Sequence, residues 1–538
     1  MAYGRYTLVL ATLTAIVTFV TWPQVLHLTT GLNDLGDPLL NAWTLAWVAH
    51  ATVTDPARLF DANIFHPETG ALAYSEPLLV PALLVAPLHW LGADPILAHN
   101  LLLLMGYVGG GLAVFVLTRS LTGSDAAAFV SAVAFAALPL RAEYYAKVQL
   151  QLAMWIPLAL WRLHALIRTG RPRNGLWTGT FIALQFYTCV YYAIYGALFV
   201  GMVAGVACWR VVPGKRAGVA RGVAAGAVVV AVACLPLGLM LRSASAVVGE
   251  RSLDEVQAGS ARLDDYARAH PESWLHGDPA RPGVGERRLF PGYAVPALAL
   301  VGLAGGGVVP IAYGAAAAGS VALSLGTNGP VYSWLYEHLT AARALRVPAR
   351  FAMFASLGAA VLAGFGVARL TRRTGRPGTA VLATLAVAAV VAEGKTRPLD
   401  LSRLPEPAPL VYRWLAQQPP AVVCEYPLGN LEGRAGPQDA TYEYYSALHW
   451  HTLVNGYSGF EPPAYRDTRA ALASFPDRAA IDRLVEIGTE YLLVHGRFYI
   501  AGDVEADVEA LKVDPRLIWV GRFAWRDGHA SDVFRVRR

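Results

Sequence analysis

The sequence predicts a polytopic α-helical membrane protein with about eleven transmembrane helices, two juxtamembrane helices in the first outer loop and a C-terminal extracytoplasmic α/β domain. Three observations predict this fold class. The 538 residues are 55% hydrophobic and 15% charged, whereas soluble domains carry about 25% charged residues. Apolar residues are concentrated in runs close to the roughly 20 residues that span a bilayer. In the last quarter of the chain, charged residues return and strand and helix patterns alternate.

The eleven apolar runs fit a consistent membrane topology. They are 5–22, 97–118, 124–140, 150–168, 176–189, 191–210, 219–241, 292–306, 308–325, 348–369 and 377–393. With the N-terminus inside, the loops on the cytoplasmic side carry most of the Arg and Lys, as the positive-inside rule requires. This agreement requires that 77–92 does not cross, and its three prolines favour a juxtamembrane or re-entrant helix. An odd number of crossings places the C-terminal tail outside.

The predicted domains follow from this topology. Residues 1–394 form the membrane domain, with outer loops at 23–96 and 242–291, and residues 395–538 form the extracytoplasmic domain. The tail has strand-like runs at 421–426, 452–455, 490–495, 518–524 and 532–536, and helical patterns at 409–417, 464–474, 478–487 and 503–512. Alternating β and α patterns predict a small α/β fold.

The distribution of charge argues against nucleic-acid binding, and the cysteine pattern argues against a disulfide-stabilised or CxxC metal-binding protein. The net charge is +6 and the pI near 9.1, but the basic residues lie in short loops between apolar runs, where they orient a membrane protein. Nucleic-acid binding is therefore not expected. Three of the four cysteines lie in apolar runs and Cys424 stands apart in the tail, so there is neither a disulfide framework nor a CxxC metal site.

The first outer loop contains the acidic residues Asp34, Asp37 and Glu76. Charge held close to hydrocarbon is costly and usually functional. Pro38 suits a first helical turn, and the apolar spacing that follows predicts a helix to Val53. Asp37 would then lie at a helix N-terminus, where the dipole favours an anion. The alternative is that Asp37 only caps the helix.

Further outer segments supply cations, amides and tyrosines that suit a lipid phosphate. They are Arg141, Lys147, Gln149, Gln151, Arg346, Arg350, Tyr191 and Tyr192. Arg and Lys would hold the phosphate, Arg through a bidentate fork, while a carboxylate would deprotonate an acceptor hydroxyl. The alternatives are snorkelling anchors for Arg141 and Lys147, general lipid contacts for the two later arginines, and an aromatic belt or packing for the tyrosines.

Five motifs resemble a known family. They are Gly36-Asp-Pro-Leu-Leu-Asn-Ala-Trp43, Phe60-Asp-Ala-Asn-Ile-Phe-His-Pro67, Leu72-Ala-Tyr-Ser-Glu-Pro77, Leu345-Arg-Val-Pro-Ala-Arg-Phe351 and Leu453-Val-Asn-Gly-Tyr-Ser-Gly-Phe460. With the long acidic first loop and the α/β tail, the chain resembles the GT-C superfamily of membrane glycosyltransferases. More narrowly, it resembles YfhO-like and protein-mannosyltransferase-like bacterial multipass proteins.

The resemblance implies an enzyme of the cytoplasmic (inner) membrane that moves a sugar, usually with inversion, from a polyprenyl-phosphate donor to an envelope glycan, lipid or protein on the outer face. It implies that Asp37 is the general base, with Asp34 as the rival, since only Asp37 directly follows a glycine. Glu76 would orient the acceptor or a divalent ion. A divalent cation, Mg²⁺ or Mn²⁺, is therefore an optional cofactor, and membrane lipids are expected partners.

Two other functions remain open at the sequence level. A lipid or glycan transporter or flippase would bury ionisable residues at mid-membrane, but the predicted spans are nearly free of Asp and Glu at their centres. The acidic residues are predicted at the outer surface instead, which favours surface chemistry. A non-catalytic membrane scaffold is the third hypothesis.

Overall fold

The helices of the protein follow the predicted pattern closely. The structure, a computed structural model, describes residues 2–209, 211–249, 252–278, 286–343, 345–429, 436–499 and 502–537. The α-helices are α1 Ala2–Val20, α2 Asp37–Thr54, α3 Leu79–Trp90, α4 Pro95–Thr122, α5 Asp125–Ala136, α6 Val148–Gln151, α7 Trp155–Thr169, α8 Arg173–Thr188, α9 Val190–Cys208, α10 Arg216–Val248, α11 Leu253–Ala258, α12 Ala294–Leu303, α13 Val308–Ser324, α14 Pro330–His338, α15 Thr340–Arg343, α16 Ala352–Leu370, α17 Arg376–Gly394, α18 Leu410–Leu415, α19 Pro437–Ser446, α20 Pro463–Ala471, α21 Arg478–Glu486 and α22 Val504–Lys512. Each of the eleven predicted spans overlaps a helix, and the span 150–168 covers the end of α6 together with α7.

Seven helical segments of the described chain are long and apolar enough to cross a membrane. They are Pro95–Thr122, Asp125–Ala142, Val148–Thr169, Val190–Cys208, Pro213–Val248, Pro348–Leu370 and Arg376–Gly394. Shorter apolar helices are Gly4–Val20, Leu79–Trp90, Ala294–Leu303 and Val308–Ser324. The predicted span 176–189 is helical as α8 but is in neither group. Parts of two predicted segments lie outside the described residues: position 210 of span 191–210, and 250–251 and 279–285 of the outer loop 242–291.

The chain groups into two compact units. The membrane unit comprises Met1–His27, Asn100–Leu237 and Glu250–Asp400. The loop–tail unit comprises Leu28–His99, Gly238–Gly249 and Leu401–Arg538. Residues 28–96 of the first outer loop thus belong to the same unit as the tail, and the predicted domain boundary at 394/395 stays a prediction.

Helix α16 lies at the centre of the membrane unit. It packs against α5, α12 and α13, and most of its side chains are buried. Glycine allows the contact with α12, because a Cβ on Gly366 would lie 2.1 Å from the Leu298 carbonyl oxygen and one on Gly302 would lie 2.1 Å from that of Leu362. Small residues let helix backbones approach closely in membranes.

The loop–tail unit contains one mixed five-stranded sheet. The strands are β1 Val422–Tyr426, β2 Thr452–Leu453, β3 Tyr491–His495, β4 Leu517–Ala524 and β5 Ala530–Val536, in the order β2-β1-β3-β5-β4. β2, β1 and β3 run parallel, while β5 is antiparallel to both β3 and β4. The apolar core includes Ile481, Leu484, Leu492, Val508 and Phe534. All five predicted strands are present.

The two first-loop helices, α2 and α3, form as predicted and pack against each other. α2 also packs against α19, a helix that the sequence analysis did not predict. The side chains of α19 are polar or aromatic and almost all are buried, so it has no amphipathic pattern to reveal it.

Candidate active site

The turn that precedes α2 is built around the Asp34 side chain. Asp34 Oδ1 accepts a hydrogen bond from the Gly36 backbone N–H (2.8 Å), the local bond that Asp makes two residues along the chain. Gly36 is the N-cap of α2, and Pro38 lies in the first turn. Asp37 is therefore the first helical residue, not the cap.

The Asp37 carboxylate is half-buried and lies beside Tyr457. The Tyr457 hydroxyl donates to Asp37 Oδ1 at 3.3 Å. A Cβ on Gly36 would lie 3.1 Å from this hydroxyl and 3.3 Å from Asp34 Oδ1, so the missing side chain at Gly36 leaves room for both groups. The two aspartates and Tyr457 thus form one compact acidic group within the loop–tail unit.

Glu76 belongs to the same unit. It is half-buried and lies between a short 3-10 helix, Ala71–Tyr74, and α3. Two residues after Glu76, Leu78 has a left-handed backbone (φ 48°). The role of Glu76 in orienting the acceptor stays a prediction.

In the membrane unit, Arg141 and Gln151 hold helix ends. Arg141 is fully buried. Its Nε donates to the Phe135 carbonyl oxygen at 3.0 Å. Its Nη1 donates to two atoms of Gln151, the carbonyl oxygen at 3.1 Å and Oε1 at 3.2 Å. Gln151 Nε2 in turn donates to the carbonyl oxygens of Arg141 and Tyr144 (3.1 and 2.7 Å). This geometry favours a structural role for both residues.

The other three predicted cations, Lys147, Arg346 and Arg350, all interact with Glu286. Arg350 forms a bidentate fork with it, Nε to Oε2 at 2.6 Å and Nη2 to Oε1 at 2.8 Å. Lys147 Nζ lies 3.6 Å from Glu286 Oε1, and Arg346 acts on the same carboxylate electrostatically. Burial raises the pKa of Glu286, but Arg350, Lys147 and Arg346 outweigh burial and lower the pKa to about 2. Three cations around one carboxylate leave two positive charges.

A second acid lies close to this cluster with the opposite shift. Glu143 Oε2 is 3.0 Å from Arg288 Nη1. Burial raises the pKa of Glu143 to about 7, and the attraction of Arg288 is too weak to offset it. Glu286 adds to this shift by charge repulsion. Glu143 therefore changes charge near neutral pH.

Two tyrosines, Tyr191 and Tyr192, lie near Arg350. The Arg350 guanidinium lies 5.2 Å from the centre of the Tyr191 ring, within cation–π range. The Tyr192 hydroxyl interacts electrostatically with Arg141, Arg350 and Glu286. Both this hydroxyl and Gln149 Oε1 are buried with no hydrogen-bond partner among the described residues.

The structure thus brings the predicted residues together in two groups. In the loop–tail unit the group is Asp34 and Asp37, joined by Tyr457; in the membrane unit it is Lys147, Arg346 and Arg350, joined by Glu286. Neither joining residue is among the predicted site residues, although Tyr457 lies in one of the motifs that carry the GT-C resemblance. Within the part of the chain that the structure describes, no cluster of three or more His, Cys, Asp or Glu side chains has the arrangement of a metal site.

Solved structures share this architecture over nearly the whole chain. Arabinofuranosyltransferase AftD from Mycobacteria matches with a TM-score of 0.60 at 17% identity, covering 99% of this chain and 40% of that chain. The chain has the GT-C fold. ArnT from Cupriavidus metallidurans in the apo state, another GT-C protein, matches with a TM-score of 0.50 at 12% identity, covering 99% of this chain and 98% of that one.

These matches confirm the predicted GT-C fold, which is mostly helical with a small sheet near the C-terminus. The number of crossings and the side of the membrane on which the tail lies stay predictions. The GT-C fold and the long apolar helices also support the predicted membrane location. This chain spans about two fifths of the length of the AftD chain. No protein-family model matches it, and no curated protein matches its sequence. The narrower resemblance to YfhO-like and protein-mannosyltransferase-like proteins stays a prediction.

Proposed function

We propose that this protein is an integral membrane glycosyltransferase that moves a sugar from a polyprenyl-phosphate donor to a glycan, lipid or protein of the cell envelope. The observation that carries the proposal is the GT-C fold over 99% of the chain. Because a fold does not fix a function, the chemistry is argued from the two residue groups. The sugar is proposed to be a pentose or a hexose, and the similarity to an arabinofuranosyltransferase favours a pentose.

Asp37 is the proposed general base. In the transfer, the acceptor oxygen forms a bond to the anomeric carbon while the bond from that carbon to the donor phosphate breaks, with inversion. The acceptor proton goes to the Asp37 carboxylate, and the phosphate leaves with the bonding electron pair. Asp34 is the weaker candidate because its Oδ1 already accepts the Gly36 N–H. Glu76 is proposed to orient the acceptor.

Lys147, Arg346 and Arg350 are proposed to hold the donor phosphate. The two positive charges left over around Glu286 favour an anion. Arg346 is exposed and offers its guanidinium fork, which matches phosphate geometry. Arg350 already gives Nε and Nη2 to Glu286, so its main effect is through charge and its remaining N–H groups. Gln149, Tyr191 and Tyr192 would line the sugar or phosphate, whereas Arg141 and Gln151 serve the helix ends.

The proposed orientation places this chemistry on the outer face of the cytoplasmic membrane, with the N-terminus inside and the tail outside. Asp37 and Glu76 then lie on the side where envelope acceptors are found. The charged groups of both clusters lie in loops or at helix ends, which agrees with chemistry at the membrane surface.

The test uses the purified protein in lipid vesicles with polyprenyl-phosphate-linked pentoses and hexoses, together with envelope glycans as acceptors. We expect release of free polyprenyl phosphate and equal incorporation of sugar into the acceptor. Loss of one envelope sugar linkage in a deletion strain, measured by mass spectrometry, would identify the product. Donor that crosses the bilayer without being consumed would instead show a transporter and would overturn the proposal.

A further inference from the structure

The segment Asn455-Gly456-Tyr457 is held firmly against the sheet of the loop–tail unit. The Asn455 side chain bonds the Glu425 backbone twice, with Oδ1 accepting from the N–H (2.8 Å) and Nδ2 donating to the carbonyl oxygen (2.8 Å). Glu425 lies in β1, the neighbour of β2 and β3. β2 ends at Leu453, so the Asn455 side chain makes the two hydrogen bonds to Glu425 that a longer strand would make. These bonds fix the backbone that leads to Tyr457.

The first outer loop is hydrogen-bonded to this segment through the backbone of Phe65 and His66. The Phe65 N–H donates to the Asn455 carbonyl oxygen and the His66 N–H to that of Leu453, both at 2.9 Å. The Phe65 ring lies so close to Gly456 that a Cβ there would be 2.6 Å from it. Only glycine fits this contact. The motifs Phe60–Pro67 and Leu453–Phe460 therefore pack against each other within the loop–tail unit.

Tyr457 is held at both ends. Its backbone N–H donates to Glu443 Oε2 (2.8 Å), and its hydroxyl donates to Asp37 Oδ1 (3.3 Å). Burial, together with the carboxylates of Asp37 and Asp34, raises the pKa of Tyr457. The hydroxyl therefore keeps its proton near neutral pH and acts as a donor to the carboxylate.

Glu443 provides the fixed end of this connection. It lies in α19, which packs against α2, and its side chain is fully buried. Burial raises the pKa of Glu443 well above its ordinary range, which favours the neutral acid. A neutral side chain at this position acts as a hydrogen-bond acceptor for the Tyr457 N–H without adding charge beside Asp37.

We propose that Tyr457 is a positioning residue of the transfer reaction: its hydroxyl fixes the Asp37 carboxylate for deprotonation of the acceptor, and Glu443 holds Tyr457 in place. This inference rests on the proposed function. Misplacement of a catalytic group by about 1 Å can cost roughly 100-fold in rate, so a fixed orientation matters.

The test compares Tyr457→Phe with a matched control, Tyr499→Phe. The Tyr499 hydroxyl also donates to a carboxylate, Asp507 Oδ2 at 3.1 Å, so both variants lose one bond of the same kind. We expect Tyr457→Phe to lower kcat by about tenfold or more and to leave the donor KM unchanged. Tyr499→Phe should change neither quantity. Equal kcat values in the two variants would overturn the inference.

Two further variants test the support from Glu443. Glu443→Gln retains an oxygen acceptor for the Tyr457 N–H, whereas Glu443→Met removes it at similar volume. We expect Glu443→Met to lower kcat, and Glu443→Gln to recover most of that rate. Equal losses in both variants, with unchanged thermal unfolding, would overturn the role of Glu443.

Asp37→Asn separates a failure of this inference from a failure of the proposed function. If Tyr457 acts through Asp37, adding Tyr457→Phe to Asp37→Asn causes little further loss. Loss of the same factor in both backgrounds would overturn the positioning role while leaving the glycosyltransferase proposal intact. Wild-type turnover by Asp37→Asn would remove Asp37 as the base, and the inference with it.

Discussion

Replacing Glu286 by glutamine removes the carboxylate that joins the cations of the membrane unit. Glu286 is 21% exposed and forms its bidentate bond with Arg350, which is 10% exposed. Its pKa falls from the ordinary value of 4.5 to about 2, because the attraction of the three cations exceeds the cost of burial. At 1.36 kcal/mol per pH unit, this difference corresponds to about 3 kcal/mol of folding stability.

The sign of this contribution determines the pH at which it acts. A carboxyl group whose pKa is lowered on folding stabilises the folded state above the unfolded value of about 4.5, and the stabilisation is lost as the pH falls towards about 2. Glu286→Gln should therefore be less stable than wild type by about 3 kcal/mol at pH 7. The difference should shrink as the pH falls below about 4.5.

Thermal unfolding of the purified protein in mixed lipid–detergent micelles, followed by tryptophan fluorescence, measures this effect. We expect an apparent Tm several degrees lower for Glu286→Gln at pH 7, converging with wild type in acid. Equal Tm values at pH 7, or a difference that does not change with pH, would refute the assigned ion pair. Arg350→Gln, which removes the other partner of the same pair, is the matched variant and should show the same convergence.

Two further predictions concern the same cluster. Arg346→Ala should raise the apparent KM for a polyprenyl-phosphate donor by about tenfold or more with little change in kcat, since one charge-assisted bond contributes roughly 1.5–3 kcal/mol; an unchanged KM in a steady-state transfer assay would place the phosphate elsewhere. Because burial raises the pKa of Glu143 from 4.5 to about 7, the contribution of Glu143 to stability is largest below about 4.5 and is lost as the pH rises through 7. Glu143→Gln should flatten the dependence of Tm on pH between about 4.5 and 8, and an unaltered slope would contradict this assignment.

Much of the fold could be predicted from hydrophobic periodicity. The apolar runs gave the long helices, and the short β-branched runs gave the five strands, because burial in lipid or in a sheet imposes these patterns. α19 could not be found in this way, since its polar residues are buried through specific hydrogen bonds. The only local sign was Pro437 after Gly436, a common start for a helix.

The candidate site was predictable only in part. The first loop and the cationic segments stood out because charged residues beside apolar runs are costly. Glu286 gave no such sign, because it lies among other charged residues of a long loop and meets Arg350 only through the tertiary fold. Tyr457 belonged to a recognised motif, but its bond to Asp37 joins residues 420 positions apart, and sequence spacing does not reveal such a bond.

The most direct test of the account is the turnover of Asp37→Asn with a lipid-linked sugar donor. This change keeps the size of the side chain and removes only its ability to accept a proton. Sugar transfer is expected to fall to a small residual rate, while thermal unfolding and insertion into membranes remain as in wild type. Transfer at the wild-type rate by Asp37→Asn would contradict it.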